Sequence, residues 1–599
     1  MLQDDIATLL HKALRKAQRD KALAKFDIPK IDVERPKEGS HGDFATPICM
    51  QLARLARMAP LAIAEIVVRR LPKADYLGKI EIAKPGYINL YLSESWLAQR
   101  VDAILAAGER FGSVDLGKQR KVQVEFISAN PTGPLHVGSA RNAVLGDVLA
   151  NVLAAAGYDV QREYYVNDAG TQMGIFAETL YARYAQALGH DEAVPEAGYQ
   201  GPYMIEFGKR AAQEHGTHFL EMERAQALKA LGDIGLGYVL ESVRADTELM
   251  GIRFDRWFSE RSLYDDGVFA QVMTILRQGN HLVERDGAVW FNATGLGADR
   301  EASPERSAGG CEASSERSAG GREASPERSA GGREASPERS TGDKDEVIIR
   351  SSGAPGYFAS DIAYHYDKFV RRGFEWVIDV WGADHQGHVP RMHAMMQALG
   401  LDPKALTIIL YQLVTLKRGG EVVRLSKRTG EMISLREVLE DVGSDAVRFF
   451  LVSRAPESQM EFDLDLAKQQ SNENPVYYVQ YAHARIHSIL EVAKERGLET
   501  EEGDVSLLKH PMELELIRRM LMLPEVVESS AVTLSPHHLA HYAQDLASQF
   551  HLFYRDCHVV SSEPEERELS LARLKLVRAA KAVLARSLHL MGMSAPEHM

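Results

Sequence analysis

Apolar residues recur along the chain with periods that differ between regions, and each period predicts a type of secondary structure. In 121–127 (KVQVEFI) every second residue is apolar, as on a half-buried strand. The apolar positions of 143–149 have helical spacing, and 160–166 (VQREYYV) is typical of a second strand. Residues 118–175 are therefore predicted to contain strand, turn, helix and strand, which is the start of a βαβ unit.

The same patterns divide the chain into three parts. Residues 1–115 are predicted to form a small mixed α/β unit, a second α/β stretch lies at about 346–425, and almost everything after 436 has a helical period. This order, with an α/β core split by an insertion and an all-helical tail, predicts three domains. The individual predictions are helices at about 2–24, 45–72 and 172–250, a strand–turn–strand unit at 79–92, and strands at 376–381 and 407–414.

The segment 301–342 follows neither pattern. It holds four near-identical copies of an 11-residue unit, EASPERSAGGR and its variants. Paired glycines, prolines and alanine as the sole apolar residue exclude a helical coil, and this composition buries too little surface to offset its ordering entropy. We interpret the segment as a disordered insertion in a surface loop of the core, without function. A partner-binding arm is the alternative.

Length and composition are those of an ordinary soluble globular protein. Of 599 residues, 45% are hydrophobic and 26% charged, and no apolar run approaches the roughly 18 residues of a membrane span. Asp4 and Asp5 argue against a signal peptide. Cys49, Cys311 and Cys557 are too scattered for a zinc site or a disulfide framework, so we expect no dedicated metal site and a cytoplasmic location.

The net charge of −14 argues against a general affinity for nucleic acid, but two stretches are basic. Residues 11–30 hold seven Lys or Arg against two Asp, with Lys12, Lys16 and Arg19 at helical spacing. Residues 572–593 hold five Lys or Arg and no acid. A solvated helix face explains either stripe alone. Basic stripes at both ends of an acidic chain favour a polyanionic partner such as folded RNA.

The turn between the first predicted strand and helix, 130-NPTGPLHVGSARN-142, carries candidate chemistry. Such a loop lies at the carboxyl end of a parallel sheet, where α/β folds bind ligands, and a helix N-terminus suits phosphate. His136 would donate a hydrogen bond to a phosphate oxygen, and Gly138 would let a flat base or ribose approach the backbone. Alone, a His-x-Gly turn is more simply explained as a structural loop histidine.

A second stretch, 424-RLSKRTG-430, surrounds Leu-Ser-Lys with basic residues just before a helical pattern at 431–439. A mobile basic loop can close over phosphates and neutralise charge that grows in a transition state. By itself this stretch would be interpreted as a solvated turn.

Together the two stretches resemble the paired signatures of class I aminoacyl-tRNA synthetases. HVGS at 136–139 resembles His-Ile-Gly-His, and RLSKR at 424–428 resembles Lys-Met-Ser-Lys-Ser. Longer runs are similar to the arginyl-tRNA synthetase family over nearly the whole chain except the repeats. These runs are 33-VERPKEGSHGDFAT-46, 84-KPGYINLYL-92, 130-NPTGPLHVG-138, 162-REYYVNDAGTQ-172, 356-GYFASDIAYH-365, 381-WGADHQGHVPR-391, 445-DAVRFFL-451, 474-NPVYYVQYAHAR-485 and 594-SAPEHM-599.

The resemblance implies an α/β fold whose Rossmann-like, parallel-sheet catalytic core spans about 118–435, with a helical insertion at about 172–250. Residues 1–115 resemble the additional N-terminal domain that contacts the tRNA elbow. Residues 440–599 resemble the all-α, helical-bundle anticodon-binding domain. Both basic stripes fall in these flanking domains, where RNA contacts would be needed.

The activity that the resemblance implies has two steps. Arginine and ATP would form arginyl-adenylate and pyrophosphate, and an arginine tRNA would then take the arginyl group at its terminal ribose, releasing AMP. The expected substrates are L-arginine, arginine tRNA and ATP with Mg²⁺; no membrane partner is expected, and the chain is expected to act as a monomer. The residues matched to ATP are Asn130, Pro131, Thr132, Gly133, Pro134, Leu135, His136, Val137, Gly138, Ser139, Ala140, Gly382, Asp384 and Lys427; those matched to catalysis are His136, Ser139, Ser426 and Lys427.

A planar guanidinium is held best by a bidentate carboxylate with an aromatic face nearby. Tyr357 and Asp361 are four residues apart, so they share a face of a helical turn, and both match family positions that contact the substrate side chain. Asn130 matches the position at the α-amino end, and His385 is a further candidate.

Three positions depart from the family pattern. Ser139 stands where the signature has His, Arg424 replaces a Lys, and Tyr164 occupies a pocket position that is often Asn. Serine still donates a hydrogen bond but carries no charge, and Arg differs from Lys in geometry. The first two departures concern the rate of activation, and Tyr164 concerns the hydrogen bonds near the α-amino group of the substrate. Four rival interpretations remain open here: a different class I synthetase, a relative that binds tRNA without catalysis, a nucleotidyltransferase of the same core fold, and a structural or interaction protein. The nucleotidyltransferase would need neither flanking domain, and a structural protein would make both phosphate loops a coincidence.

Overall fold

The computed structural model describes residues 2–293, 296, 346–423, 433–499 and 501–599. The predictions for the repeats at 301–342 and for Arg424, Ser426 and Lys427 lie outside these residues. The chain divides into two compact units. Unit 1 comprises Met1–Phe258, Ile378–Ala383 and Ile409–Met599, and unit 2 comprises Ser259–Val377 and Asp384–Ile408.

The N-terminal part of unit 1 combines a small sheet with helices. Its elements are α1 (Leu2–Arg19), β1 (Phe44–Thr46), α2 (Ile48–Ala56), α3 (Pro60–Val68), β2 (Leu77–Ala83), β3 (Tyr87–Leu92) and α4 (Glu94–Ala107). β3 pairs antiparallel with both β1 and β2, so the predicted strand–turn–strand unit is confirmed. The helix predicted for 45–72 is two helices, because Arg57 adopts a left-handed φ of 52° and Pro60 begins the next helix.

The elements from 121 to 423 are, in chain order, β4 (Lys121–Glu125), α5 (Ala140–Ala155), β5 (Asp159–Val166), α6 (Thr171–Ala187), α7 (Pro202–His215), α8 (Arg224–Leu249), β6 (Arg256–Ser259), α9 (Arg261–Asp265), α10 (Val268–Gln278), β7 (Leu282–Arg285), β8 (Ala288–Phe291), β9 (Glu346–Ile349), α11 (Tyr357–Tyr366), β10 (Trp376–Gly382), α12 (Val389–Ala398), β11 (Leu406–Tyr411), β12 (Val414–Arg418) and β13 (Glu421–Val422).

The core sheet that these elements form has, among the described residues, five strands in the order β11-β10-β4-β5-β6. β4 and β5 run parallel, with α5 as the crossover between them. Val122 and Val124 are completely buried, but so is Gln123 between them, so the prediction that this strand is half-buried is wrong: a central strand of the sheet is covered on both faces. Gly146 allows α5 to lie close to the sheet, because a Cβ there would overlap the ring of Phe126.

The strand predicted for 407–414 is divided between two sheets. β11 belongs to the core sheet, whereas β12 pairs with β13 and runs parallel to β14 (Met460–Asp463). The chain is interrupted at Gln412, whose N–H donates to the Pro456 carbonyl at 2.9 Å and whose own carbonyl accepts from Arg141 at 2.6 Å. Both partners are distant in sequence, so the strand pattern could not show the break.

Unit 2 contains a three-stranded antiparallel sheet, within the described residues, in the order β7-β8-β9. β8 and β9 are the strands on either side of the repeat-containing segment. Phe291 near the end of β8 is paired with Glu346 at the start of β9. The end of β8 and the start of β9 are therefore adjacent.

The remainder of unit 1 is helical apart from β14, which the helical period did not reveal. Its helices are α13 (Leu435–Val442), α14 (Ser444–Val452), α15 (Leu464–Lys468), α16 (Pro475–Glu495), α17 (Pro511–Met520), α18 (Leu523–Thr533), α19 (His537–Asp556) and α20 (Arg567–Leu590). Within the described ranges, no helix is both long and apolar enough to span a bilayer.

The N-terminal part of unit 1 is fixed to this helical tail by ion pairs. The Arg35 guanidinium meets both carboxylate oxygens of Glu525 at 2.7 Å each. Arg518 Nε donates to Asp43 Oδ1 at 2.6 Å, and Asp43 also accepts from the N–H of Leu92 at 2.7 Å. Bidentate, partly buried pairs of this kind fix orientation as well as contact.

Candidate active site and helical-tail cavity

The loop that follows β4 begins with a backbone kink. Ile127 and Ser128 have φ values of 66° and 42°, a conformation that non-glycine residues rarely adopt and a β-branched residue least of all. The Ile127 N–H donates to Asn142 Oδ1 at 2.7 Å. Ser128 Oγ donates to Glu125 at 3.0 Å and accepts from the Tyr165 N–H at 3.1 Å. These bonds hold the kink and direct the chain away from the sheet edge.

The turn at 130–134 is shaped by Tyr203 of α7. The tyrosine hydroxyl donates to the Thr132 carbonyl at 2.8 Å, and burial raises the pKa of Tyr203. A Cβ on Gly133 would lie 2.8 Å from the tyrosine ring, so glycine permits this contact. Asn130 is exposed at the start of the turn. Tyr203 lies some 70 residues away in sequence, and no local pattern identified it.

His136 lies at the point where the turn becomes helical. It has extended backbone angles, a 3₁₀ turn follows at Val137–Ser139, and α5 begins at Ala140. A Cβ on Gly138 would lie 2.6 Å from Cε1 and 2.7 Å from Nδ1 of His136. The imidazole therefore lies across Gly138, and any other residue there would displace it. Gly138 is therefore required by the position of the His136 ring, whereas the sequence suggested only that it admits a base or ribose.

Residues 433–435, which follow the second signature, are hydrogen-bonded to residues 135–137 of the first signature. The Leu435 N–H donates to the Leu135 carbonyl at 2.9 Å, the Val137 N–H donates to the Ile433 carbonyl at 3.4 Å, and His136 and Ser434 form an antiparallel bridge. Ser434 then caps α13 in a capping box with Glu437. The chain leaving 424–432 is thus fixed beside His136, although Ser426 and Lys427 themselves lie outside the described residues.

Asn142 joins the kink to the neighbouring strand. It is 5% exposed, accepts from Ile127 as described, and donates from Nδ2 to the Val380 carbonyl on β10 at 2.8 Å. Gly382 ends the same strand two residues later. One amide therefore sets the distance between the loop after β4 and the carboxyl end of β10.

Arg141, beside it on α5, is completely buried and has carbonyl partners. Its guanidinium donates to the carbonyls of Gln412, Ser458 and Ala455 at 2.6, 2.9 and 2.8 Å. Burial without a bound carboxylate lowers the pKa of Arg141 to about 10. The first turn of α5 is thereby bonded to loops from the distant part of the chain.

The residues matched to arginine lie in unit 2. Tyr357 and Asp361 are one turn apart on α11, so the prediction that they share a helical face is confirmed. The Tyr357 side chain is 52% exposed, with the Arg350 guanidinium 6.0 Å from its ring centre. Tyr264 bonds to Ser360 at 2.8 Å, and burial, followed by the charges of nearby acids including Asp361, raises the pKa of Tyr264.

Asp384 and His385 belong to a 3₁₀ turn at Ala383–His388. His385 Nε2 lies 3.7 Å from Asp384 Oδ2, and both side chains are more than half exposed. The neighbouring His388 has its pKa lowered by burial and by the Arg391 charge. The exposed side chains of Asp384 and His385 are therefore accessible to a ligand.

The helical tail contains a cavity of about 700 Å³ between α16, α19 and the C-terminal residues. Its walls include Tyr481, Arg485 and Tyr554, together with the residues Glu597–Met599. The Tyr477 and Tyr481 rings are stacked with centres 5.9 Å apart, and the Arg485 guanidinium lies 4.6 Å from the Tyr554 ring centre. Aromatic faces beside an arginine suit the stacking of an unpaired nucleic-acid base.

The two basic stripes differ in the structure. Lys12, Arg15, Lys16 and Arg19 are exposed on α1, as a surface stripe requires. The cations of 572–593 are not exposed. They pair with Glu513 (Arg573, 2.7 Å), Asp102 (Lys575, 2.6 Å), Glu501 (Arg578, 3.2 Å) and Glu597 (Lys581, 2.8 Å), and Arg586 donates to Ser113 (3.3 Å). These pairings hold α20 in place and offset much of the charge of the second stripe, and RNA contact at this stripe stays a prediction.

Comparison with known proteins gives matches along the whole chain. Three family models match: the arginyl tRNA synthetase N terminal domain at 4–92, the class I (R) tRNA synthetase catalytic domain at 100–197 and the DALR anticodon binding domain at 479–599. A curated arginine–tRNA ligase of Dehalococcoides mccartyi is 48% identical over 590 residues, covering 98% of each chain. One of Heliobacterium modesticaldum is 45% identical over 601 residues, covering 99% of this chain and 98% of the relative. The chain belongs to the arginine–tRNA ligase family.

The fold agrees with this membership. The solved structure of Thermus thermophilus arginyl-tRNA synthetase superimposes with a TM-score of 0.71 at 24% identity, covering 100% of both chains. The predicted α/β architecture, with a Rossmann-like core, an N-terminal α/β region and a helical C-terminal region, is confirmed. Family membership confirms the resemblance seen in the sequence and excludes a nucleotidyltransferase unrelated to tRNA.

Proposed function

We propose that this arginine–tRNA ligase carries out both steps of arginylation. A carboxylate oxygen of arginine attacks the α-phosphorus of ATP, and the bond to pyrophosphate breaks. A hydroxyl of the terminal tRNA ribose then attacks the carbonyl carbon of the adenylate, and AMP leaves. Positioning and charge stabilisation supply most of the catalysis in such reactions. We propose that Mg²⁺ enters with ATP, as part of the nucleotide substrate.

The observation that carries this proposal is the backbone pairing of 135–137 with 433–435. It places residues 433–435, which follow the second signature in sequence, directly beside the His136 turn. We assign His136 to the phosphates as their charge increases, and Ser139 to a hydrogen bond beside it. We assign Ser426 and Lys427 to the departing pyrophosphate.

The remaining ATP contacts are assigned to the turn at 130–140 and to Gly382 and Asp384. Gly138 has a second role in this assignment, since the adenosine approaches the same backbone that accommodates the His136 ring. For arginine, we assign Asp361 and Tyr357 to the guanidinium and Asn130 to the α-amino group, with His385 as a further contact. An anionic carboxylate and an aromatic face on one side of α11 suit a planar cation.

The flanking regions are proposed to bind the tRNA. We assign residues 1–115 to the tRNA elbow, residues 118–435 to catalysis and residues 440–599 to the anticodon. The exposed cations of α1 support the first assignment, and the aromatic-lined cavity supports the last. We further propose that the protein acts as a monomer in the cytoplasm.

Pyrophosphate exchange tests the proposal directly. The enzyme is incubated with each of the twenty amino acids, with and without arginine tRNA, and exchange between labelled pyrophosphate and ATP is measured. We expect exchange with arginine alone among the amino acids. Lys427→Ala should slow it about 100-fold or more with a much smaller change in arginine affinity, because its contact strengthens mainly in the transition state. Exchange with another amino acid, or unchanged kinetics in the variant, would contradict the respective assignment.

A further inference from the structure

Two tyrosine hydroxyls hold the two ends of the turn that contains Asn130. The Tyr203 hydroxyl donates to the Thr132 carbonyl at 2.8 Å, and the Tyr164 hydroxyl donates to the Ala129 carbonyl at 3.1 Å. Within the turn, the Thr132 N–H donates to the Asn130 carbonyl at 2.8 Å. The carbonyls of residues 129, 130 and 132 therefore all have donors, and the backbone of the turn is fixed from two elements, β5 and α7.

Both tyrosine rings are themselves held in place. Tyr164 is completely buried on β5, where its ring stacks on that of Trp257 with centres 4.5 Å apart. The Tyr203 ring meets that of Phe207 edge-on, with centres 5.7 Å apart. Burial raises the pKa of Tyr164 and of Tyr203, so both hydroxyls keep their protons and donate at neutral pH.

The direction of these two bonds leaves two backbone donors available. In a planar trans peptide the C=O and the N–H of the next residue point in opposite directions, and neither of the two peptides concerned is cis. The N–H groups of Asn130 and Gly133 therefore point away from the two tyrosines. In the described part of the chain neither N–H has a protein acceptor, and Pro131 and Pro134 have no N–H to offer. Asn130 is exposed and Gly133 half-buried, so a substrate can reach both.

We propose that Tyr164 and Tyr203 are positioning residues that aim these two donors at the two reacting groups. The Asn130 N–H, set by Tyr164, binds the carboxylate of arginine, and the Gly133 N–H, set by Tyr203, binds a phosphate oxygen of ATP. Backbone N–H groups suit such anions, because hydrogen bonds to an ionised acceptor are strong. One turn then holds nucleophile and electrophile three residues apart, and positioning of this kind accelerates a reaction between two bound substrates.

The inference rests on the proposed function, since arginine and ATP are the substrates assigned there. It extends that assignment in two ways. Asn130 gains a contact with the carboxylate in addition to the α-amino group, and two tyrosines outside both signatures take part in activation. Tyr203 belongs to α7 of the helical insertion, so the insertion contributes to ATP binding.

The test measures pyrophosphate exchange by the wild type, Tyr164→Phe and Tyr203→Phe at saturating arginine tRNA. Each change removes one hydroxyl and keeps the ring. KM is measured for arginine and for ATP, together with the inhibition constants of butylguanidine and adenosine. Butylguanidine keeps the guanidinium but has neither carboxylate nor α-amino group, and adenosine lacks the phosphates. Neither inhibitor can therefore use the two backbone donors.

Two other tyrosines serve as matched controls. The Tyr542 hydroxyl donates to the Met520 carbonyl at 3.1 Å in the helical tail, and the Tyr184 hydroxyl donates to the Gly216 carbonyl at 2.6 Å in the helical insertion. Both side chains are buried. Tyr542→Phe and Tyr184→Phe therefore remove a comparable bond elsewhere in the molecule and should leave the exchange kinetics unchanged.

We expect Tyr164→Phe to raise the KM for arginine about 3- to 10-fold and Tyr203→Phe to raise the KM for ATP by a similar factor, the effect of one ordinary hydrogen bond. In each variant the KM for the other substrate and both inhibition constants should stay close to the wild-type values. If both KM values rise in both variants, or the inhibition constants rise with them, the tyrosines only support the local fold. Unchanged KM values in both variants would also overturn the proposal.

Gly133→Ala provides a second route to the Tyr203 contact, because a Cβ there would lie 2.8 Å from the tyrosine ring and displace it. It should reproduce the pattern of Tyr203→Phe with the hydroxyl present. Trp257→Phe does the same for Tyr164, since it removes part of the surface on which that ring stacks. Failure of the proposed function has a different signature: the wild-type enzyme would show no exchange with arginine.

Discussion

At the scale of single residues, Asp361 is the residue that we propose selects arginine, by binding its guanidinium. Asp361→Asn is nearly isosteric, so packing should survive while the negative charge that we assign to the guanidinium disappears. A charge-assisted pair left half-made costs about 2–4 kcal/mol, or about 30- to 1,000-fold in kcat/KM for arginine. Lysine should not be accepted instead, because its compact ammonium cannot use the fork geometry. Steady-state kinetics with arginine varied, and separately with ATP varied, measure the effect.

Asp286→Asn is the matched control for that change. Asp286 is exposed in the turn between β7 and β8 with a φ of 50°, a conformation that asparagine tolerates well. This control should leave the kinetics unaltered. If Asp361→Asn keeps both arginine KM and kcat/KM within about twofold of wild type while the melting temperature is normal, Asp361 does not hold the guanidinium.

Asn142 is predicted to be a positioning residue for activation. Asn142→Ala removes the bonds to Ile127 and Val380, leaves two buried backbone groups unpaired and releases a strained kink. We expect the exchange kcat to fall about 10- to 100-fold, since small misplacements of reacting groups have effects of this size. The loss should appear in kcat more than in the KM for ATP or arginine.

Asn474→Ala is the matched control for Asn142→Ala, because it distinguishes a loss of active-site positioning from a loss of protein stability. Asn474 is 3% exposed and, like Asn142, bridges backbone groups, since it donates to the Ala467 and Gln469 carbonyls and accepts from the Val476 N–H. Both variants should lower the melting temperature, but only Asn142→Ala should slow exchange. A similar exchange kcat for the two variants would show that Asn142 has only a structural role.

Among the helices, α19 is predicted to make the helical tail sensitive to acid. Burial lowers the pKa of His537 from 6.5 to about 4, with help from His538 and His541, and burial also lowers that of His551 to about 4. Both side chains stay neutral in the fold while the unfolded chain takes up protons below about pH 6.5. Folding stability should therefore fall as the pH decreases from about 6.5 to about 4 and should depend less on these groups below that range.

Urea denaturation followed by far-ultraviolet circular dichroism at a series of pH values tests this. The double variant His537→Gln, His551→Gln should show a flatter dependence of the denaturation midpoint on pH between about 6.5 and 4. Exposed His218, whose ring lies 5.1 Å from that of Phe219 in the other helical region, serves as a control when replaced by Gln. An unchanged slope in the double variant would show that other groups govern acid sensitivity.

For the chain as a whole, the repeats at 301–342 are predicted to be dispensable. The strands on either side pair directly, with Phe291 opposite Glu346, so a short linker can join them without moving either strand. Long surface insertions add little to the entropy of loop closure, which grows only with the logarithm of length. Deleting 301–342 should leave arginylation kcat/KM within about threefold and the melting temperature nearly unchanged.

The control for this deletion is a chain in which the repeats are replaced by a Gly/Ser linker of equal length. If the linker variant is active and the deletion is not, length matters. A large loss in both would show that the repeat sequence itself has a role, as expected of a partner-binding arm.

The sequence by itself determined those features whose cause is local. Alternation in 121–127 predicts a strand, the spacing of Tyr357 and Asp361 puts both on one helical face, and the two signatures with their flanking runs identify the family. The first two depend on residues within a few positions of one another, because strand and helix periods act over that range, and the family is identified by short runs of consecutive residues.

Tertiary structure alone decided which distant groups meet. The cations of 572–593 formed a basic stripe in the sequence but pair with Asp102, Glu501, Glu513 and Glu597 in the fold. The break at Gln412, the contact of Tyr203 with the turn at 130–134 and the bond from Arg448 to the Met591 carbonyl arise in the same way. Each needs partners brought together from segments tens to hundreds of residues apart, and a buried charge or polar group accepts whatever partner the closed chain supplies. That choice depends on the packing of all the elements at once, which no local period records.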